Sequence, residues 1–148
     1  MAGRFEGTAV IDRPIEQVFA FLSDGENDPK FSPRVQKIEQ RTDGPPGVGT
    51  VYASTVKDAG MTTTREFELT EFVPPTRIRW AERSKNTVTA PEGGYDLAPV
   101  GEGTRLTVFN VLEGHGLAGK LLAPLALRAA RRDADAFAGR IKAAVEAS

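Results

Sequence analysis

Two apolar periods alternate along the chain, about two residues over most of its length and about 3.6 residues in two stretches. Phe5, Gly7, Ala9 and Ile11 alternate with Arg4, Glu6, Thr8 and Val10, which predicts a first strand. Asp12-Arg13-Pro14 then opens a helix, because a proline in the first turn gives up no hydrogen bond. Ile15, Val18, Phe19 and Leu22 follow at helical spacing, and Ser23-Asp24-Gly25 ends the helix. Asn27–Pro33 is too short and proline-rich for more than one further turn, with Phe31 as a buried anchor. From Arg34 the two-residue period takes over, predicting strands at Val35–Gln40, Thr50–Val56, Met61–Phe72, Arg77–Ser84, Asn86–Leu97 and Thr104–Glu113. Lys57-Asp58-Ala59-Gly60, Val73-Pro74-Pro75-Thr76 and Gly101-Glu102-Gly103 supply turns, and Pro91 with Gly93-Gly94 marks a bulge.

The second helical stretch is the longest element, Gly116–Ala147. One face gathers Ala123, Ala126, Ala130, Ala134, Phe137, Ile141 and Ala144, and Leu117, Leu121, Leu122, Leu125 and Leu127 are expected to broaden it. An alanine stripe either lets the helix sit close to its partner or leaves space where the opposing surface curves away. Pro124 predicts a kink or a fresh helix start, with Gly116–Ala123 as a separate turn. One strand, two helices, six strands and a long helix, joined by short connections, make an α+β fold with an antiparallel sheet and helices on one face.

Composition changes this picture only by exclusion. Hydrophobic residues at 40% and charged residues at 26% describe an ordinary globular domain, read as one unit over residues 1–148. A net charge of −1 argues against nucleic acid as a partner, and Asp133 and Asp135 offset the Arg128/Arg131/Arg132 cluster. The absence of cysteine removes disulfides and thiolate chemistry. No apolar run is long enough to span a membrane and no leader pattern opens the chain, so a cytoplasmic protein without stable membrane insertion is expected. His115, the only histidine, excludes a histidine-rich metal site and is expected on an exposed loop; no cofactor-binding motif is present.

Five short motifs, in order, carry a resemblance. Ile11-Asp12-Arg13-Pro14-Ile15-Glu16-Gln17-Val18-Phe19, Phe31-Ser32-Pro33-Arg34-Val35, Gly47-Val48-Gly49-Thr50, Phe72-Val73-Pro74-Pro75 and Gly103-Thr104-Arg105-Leu106-Thr107-Val108 together resemble the START-like superfamily, in its polyketide cyclase/dehydrase branch. These are turns, caps and core anchors, so they speak to architecture and leave the chemistry open. The resemblance implies a helix-grip fold. A curved antiparallel sheet of about seven strands wraps a long C-terminal helix, two short helices follow the first strand, and an elongated apolar cavity lies between sheet and helix. In-phase positions would line it: Phe67 and Leu69, Ile78 and Trp80, Tyr95 and Leu97, Leu106 and Val108, and Phe137.

The same parity places Arg65, Glu82 and Asn110 on the inward face. An unpaired charge there is costly, so these groups pair with one another, reach water, or meet a ligand's polar end; Glu82 on Arg65 is the simplest pairing. Tyr52 and Tyr95 are further polar candidates. Two functions fit: a monomer or homodimer that encloses a small hydrophobic ligand (lipid, isoprenoid or polyketide-like), or an aromatase/cyclase folding a poly-β-keto chain in the same cavity.

Overall fold

The computed structural model describes residues 2–58 and 60–148, with Asp58 in backbone only. Among them are seven strands: β1 (Ala2–Ile11), β2 (Val35–Gln40), β3 (Val51–Asp58), β4 (Met61–Val73), β5 (Arg77–Glu82), β6 (Val88–Val100) and β7 (Gly103–Gly114). They form one antiparallel sheet in the order β1-β7-β6-β5-β4-β3-β2. Helix α1 (Ile15–Ser23) and a 3-10 helix (Gly25–Lys30) fall between β1 and β2, and α2 (Gly116–Glu146) follows β7. This is the helix-grip arrangement, a curved sheet holding one long helix. Ala59, in the turn expected at Lys57–Gly60, lies outside the described residues; β3 and β4 on either side pair from Asp58↔Met61.

Strand parity is the expected one. Leu69 pairs with Trp80 and Trp80 with Gly93; one row along, Ile78 pairs with Tyr95 and Tyr95 with Val108. The register of β6 shifts between Thr89 and Glu92, around Pro91, because proline has no N–H for the ladder. The 3-10 helix is longer than the single turn expected, six residues with Pro29 inside it.

The long helix departs from expectation in two ways. It runs as one element through Pro124, with no separate turn at Gly116–Ala123. Lys120 and Pro124 are both exposed, so the carbonyl that proline leaves without an intrahelical bond belongs to the solvent-facing side of the helix, where losing that bond costs least. The leucines at its start do not broaden the buried stripe: Leu117, Leu121, Leu122 and Leu125 are 50–79% exposed. The stripe that is buried runs Gly119, Ala123, Ala134, Ala138, Ile141, Val145.

Glycines explain where this stripe goes. A Cβ on Gly7 of β1 would lie 2.1 Å from the Ala134 carbonyl oxygen, and one on Gly3 would meet the Leu127 side chain. At the start of the helix, Gly114 of β7 and Gly119 of α2 face each other so closely that a Cβ on Gly114 would sit 2.2 Å from the Gly119 carbonyl oxygen. The alanine stripe thus serves close packing, but only along β1 and β7, with a lighter contact to β6. The seat of α2 is at one side of the sheet, away from its centre.

Candidate functional site: the concave face of the sheet

With α2 drawn to the β1/β7 side, α1 fills one end of the concave face. Val18, Phe19 and Leu22 of α1 form a continuous core with Ile78, Leu97 and Leu106, all nearly inaccessible. Accessibility grows along the strands away from this closed end. Leu69, Tyr95 and Val108 are buried, whereas Phe67, Trp80, Asn110 and Arg65 are half-buried although they share the inward parity. Phe137 of α2 is also half-buried; its ring packs on Phe31 at 5.8 Å, edge to face. No ring contact joins Phe137 to Trp80 or Phe67 among the described residues.

Of the three polar groups expected on this face, Arg65 and Glu82 pair with each other. Glu82 is inaccessible to solvent, and Arg65 keeps 26% of its side-chain exposure. Arg65 Nη1 donates to both carboxylate oxygens of Glu82, at 3.2 and 3.1 Å, and to the Val88 carbonyl at 3.0 Å. Glu82 also accepts from Ser84 Oγ (2.6 Å), Asn86 Nδ2 (3.0 Å) and the Ala90 N–H (2.9 Å). With this many protein donors the buried carboxylate has no acceptor capacity left for a ligand. Arg65 is different. Among the described residues no acceptor reaches its Nε or Nη2, so one edge of the guanidinium is held and the other is open.

Next to this pair, Trp80 Nε1 donates to Asn110 Oδ1 at 2.9 Å. The indole crosses Gly93, where a Cβ would lie 2.0 Å from Asn110 Oδ1 and 2.3 Å from Trp80 Nε1. Gly93 is thus a seat for the tryptophan, and the bond to Asn110 fixes its ring plane. Tyr95 packs edge to face on Trp80, with ring centroids 4.9 Å apart. Burial holds the Tyr95 phenol well above its ordinary range, and the Asp28 carboxylate adds to the rise.

Asp28 is the residue that sequence reasoning missed. It lies in the 3-10 helix, a polar stretch with no apolar period to draw attention. Burial, and then the neighbouring Asp24, raise its carboxyl from 3.8 to about 7. The only sequence signal is a spacing of three, Gly25-Asp28-Phe31. Tyr52, by contrast, is a packing residue: its ring covers Gly25, and its hydroxyl accepts the Gly25 N–H at 3.3 Å and donates to the Ser23 carbonyl at 3.5 Å. His115 is half-exposed at the N-cap of α2, with Nε2 2.7 Å from Thr89 Oγ1, on the loop where it was expected.

Two open clefts flank this face. One of about 370 Å³ is lined by Val73, Thr76, Arg77, Asp96 and Leu97. The other, about 400 Å³, lies between the 3-10 helix and α2, lined by Pro29, Lys30, Phe31, Pro33, Arg140, Ala143 and Ala144. Neither is walled by Phe67, Trp80 or Asn110.

The family model for polyketide cyclase/dehydrase and lipid transport proteins matches residues 2–146. Among solved structures, the chain resembles the Zhui aromatase/cyclase of Streptomyces sp. R1128 with a TM-score of 0.82 and 17% identity, over 99% of this chain and 94% of that one. A protein of Thermus thermophilus gives 0.80 and 21%, over 98% of each chain. A START superfamily protein of Mycobacterium smegmatis gives 0.69 and 20%, over 95% of this chain and 97% of that one. At these identities the likeness is one of fold. No curated protein matches in sequence.

Proposed function

We propose that this chain, which belongs to the polyketide cyclase/dehydrase and lipid transport family, encloses a small, largely hydrophobic molecule between the concave sheet and α2. The observation that carries this reading is the gradient of burial along the inward face. Phe67, Trp80 and Phe137 point inward and still keep accessible surface, because α2 is seated on β1 and β7 and leaves the surface of β4 and β5 partly uncovered. Leu69, Tyr95 and Val108 form the floor, and an apolar ligand resting on them gains roughly 25 cal/mol for each Å² removed from water. Polar groups then orient it. The open edge of Arg65, held by Glu82, receives a carbonyl or carboxylate, and Asn110 Nδ2 adds a donor while its Oδ1 stays on Trp80. Glu82 acts through Arg65 as a positioning residue. The reading invokes no cofactor and no metal.

Native mass spectrometry of the protein purified from its own host tests this reading. A co-purifying molecule of a few hundred daltons, released on denaturation, supports it; a protein that emerges ligand-free and binds no apolar probe refutes it. The fold shared with an aromatase/cyclase supports a second reading, in which the same surface folds a poly-β-keto chain for ring closure and dehydration. Turnover of a poly-β-keto thioester that is lost in Arg65→Ala, with binding retained, favours the enzyme; binding without turnover favours the carrier.

A further inference from the structure

The outward face of the first turns of α2 is apolar. Leu117, Leu121 and Leu125 recur every four residues, 79%, 68% and 65% exposed, and Leu122 beside them is 50% exposed. At about 100° per residue this row lies opposite the buried stripe of Gly119, Ala123 and Ala134. Single exposed leucines are ordinary on a protein surface, but these four sit together on one stretch of helix and make a patch.

The fold holds this patch outward. A Cβ on Gly119 would lie 2.4 Å from the Thr87 carbonyl oxygen, and one on Gly114 would lie 2.2 Å from the Gly119 carbonyl oxygen, so backbone contacts fix the rotation of the helix. The His115 N–H donates to the Thr87 carbonyl at 2.8 Å and pins the entry to the helix. To turn the leucines inward, α2 would have to leave that seat.

Charge indicates what the patch meets. From His115 to Arg132 the chain has Lys120, Arg128, Arg131 and Arg132 and no acidic residue. Arg128 and Arg132 continue the leucine row at the next helical positions, both exposed. Arg131 Nε donates to the Arg4 carbonyl (3.1 Å), while among the described residues Lys120, Arg128 and Arg132 have no acidic partner. The acids that flank the stretch are engaged elsewhere: Glu113 lies 3.9 Å from His115 Nδ1, Asp133 accepts from Arg140, and Asp135 accepts from the Thr8 N–H. A second copy of the chain would set one cationic face on another. The outward side of a helix is a convex ridge, and neither cleft reaches it, so it offers no pocket for a protein's anchor residue. Leucines along a ridge with cations at its edges suit the boundary between acyl chains and anionic headgroups.

We propose that the first turns of α2 dock this protein onto an anionic lipid surface, with the four leucines in the acyl boundary and Lys120, Arg128 and Arg132 on the headgroups. The contact is peripheral, since no described helix is long and apolar enough to cross a membrane. α2 starts at the open end of the concave face: Gly114 pairs with Val88, whose carbonyl accepts from Arg65 Nη1 at 3.0 Å. Docking by its first turns therefore brings that end to the lipid. It goes beyond the ligand reading and is measured apart from it.

Co-sedimentation of the full chain with sucrose-loaded vesicles tests the proposal, equimolar phosphatidylcholine and phosphatidylglycerol against phosphatidylcholine alone. Wild type binds the anionic vesicles at least about tenfold more tightly, since each basic residue near such a surface is worth about fivefold. High salt weakens that binding. Leu121→Gln/Leu125→Gln, which keeps good helix formers on an exposed face, binds the anionic vesicles at least about tenfold more weakly, and Arg128→Gln/Arg132→Gln does the same. No binding to anionic vesicles, or a leucine variant that binds as wild type does, overturns the proposal. So does a wild-type chain that is dimeric by light scattering and monomeric in the leucine variant, because a second copy then covers the face. The changed side chains are exposed, so thermal melts should match wild type; where one variant melts early, the other and the salt series decide. Prodan, an environment-sensitive naphthyl ketone, added without vesicles reads the hollow separately: both variants bind it as wild type does, and its failure to bind wild type refutes the ligand reading alone.

Discussion

Replacing Gly7 with alanine tests where α2 is seated. The new methyl would lie 2.1 Å from the Ala134 carbonyl oxygen, 2.5 Å from its carbon and 3.1 Å from the Asp135 nitrogen. All three are helix backbone, which cannot rotate away as a side chain would. To restore an ordinary contact, α2 must withdraw by about 1 Å there, opening voids around Ala134 and Ala138, which are almost completely buried. Overpacking of this kind costs about 1–3 kcal/mol. The bond from the Thr8 N–H to Asp135 Oδ1, now 3.1 Å, lengthens as well, for a further loss of about 0.5–1.5 kcal/mol. Alanine returns up to about 1 kcal/mol through the lower entropy of the unfolded chain. The net expectation is a loss of about 2–3 kcal/mol, or roughly 5–10 °C in Tm for a domain of this size. Gly139→Ala is the control: it lies in the same helix, and nothing comes within 4 Å of the place its methyl would take. It should leave the protein equal or more stable by about 0.5–1 kcal/mol. Thermal melts followed by circular dichroism measure both. If Gly7→Ala melts with wild type, or Gly139→Ala is equally damaging, α2 is not seated where these glycines place it.

Four further outcomes are expected. Glu82→Ala leaves Arg65, Ser84, Asn86 and the Ala90 N–H without their shared acceptor, and urea unfolding should show a loss of about 3–5 kcal/mol. Gly93→Ala drives Trp80 off Asn110 and should shift the emission of Trp80, the only tryptophan, at a cost of about 1–3 kcal/mol. Phe31→Ala removes the ring shared by Phe21 and Phe137 and should cost about 3–5 kcal/mol, also by urea unfolding. Asp28 has its folded-state acidity weakened from 3.8 to about 7, so the native state binds the extra proton between those values and stability falls as pH rises through that window. Asp28→Asn should therefore match wild type near pH 4 and exceed it at pH 8 by up to about 4 kcal/mol, read from melts at the two pH values.

Strand parity was legible in the sequence because a two-residue period leaves only two choices. The hydrophobic partners of Arg65 and Glu82 settle which one holds, so the pair and its mutual bond follow from Phe67, Leu69, Ile78 and Trp80. The antiparallel pairing of successive strands from β2 to β7 was legible because short turns such as Gly101–Glu102 permit only antiparallel neighbours, whereas the long-range pairing of β1 with β7 has no turn to announce it. The seat of α2 was not. Gly3, Gly7, Gly114 and Gly119 have no side chains and leave no trace in a hydrophobic pattern, yet they set the helix against β1 and β7. That placement turns Leu117, Leu121 and Leu125 outward, where leucines were expected to extend the buried face. Asp28 was illegible for a related reason: its side is set by a three-residue turn on a polar segment, and both its burial and its effect on Tyr95 arise from tertiary packing.

The central claim is that room remains over Trp80 for a small organic molecule. Because Trp80 is the chain's only tryptophan, its emission reports that space without a label. Titration with prodan should quench Trp80 saturably at one molecule per chain, with matching sensitised prodan emission. Trp80 emission that stays constant through saturating prodan would contradict the account.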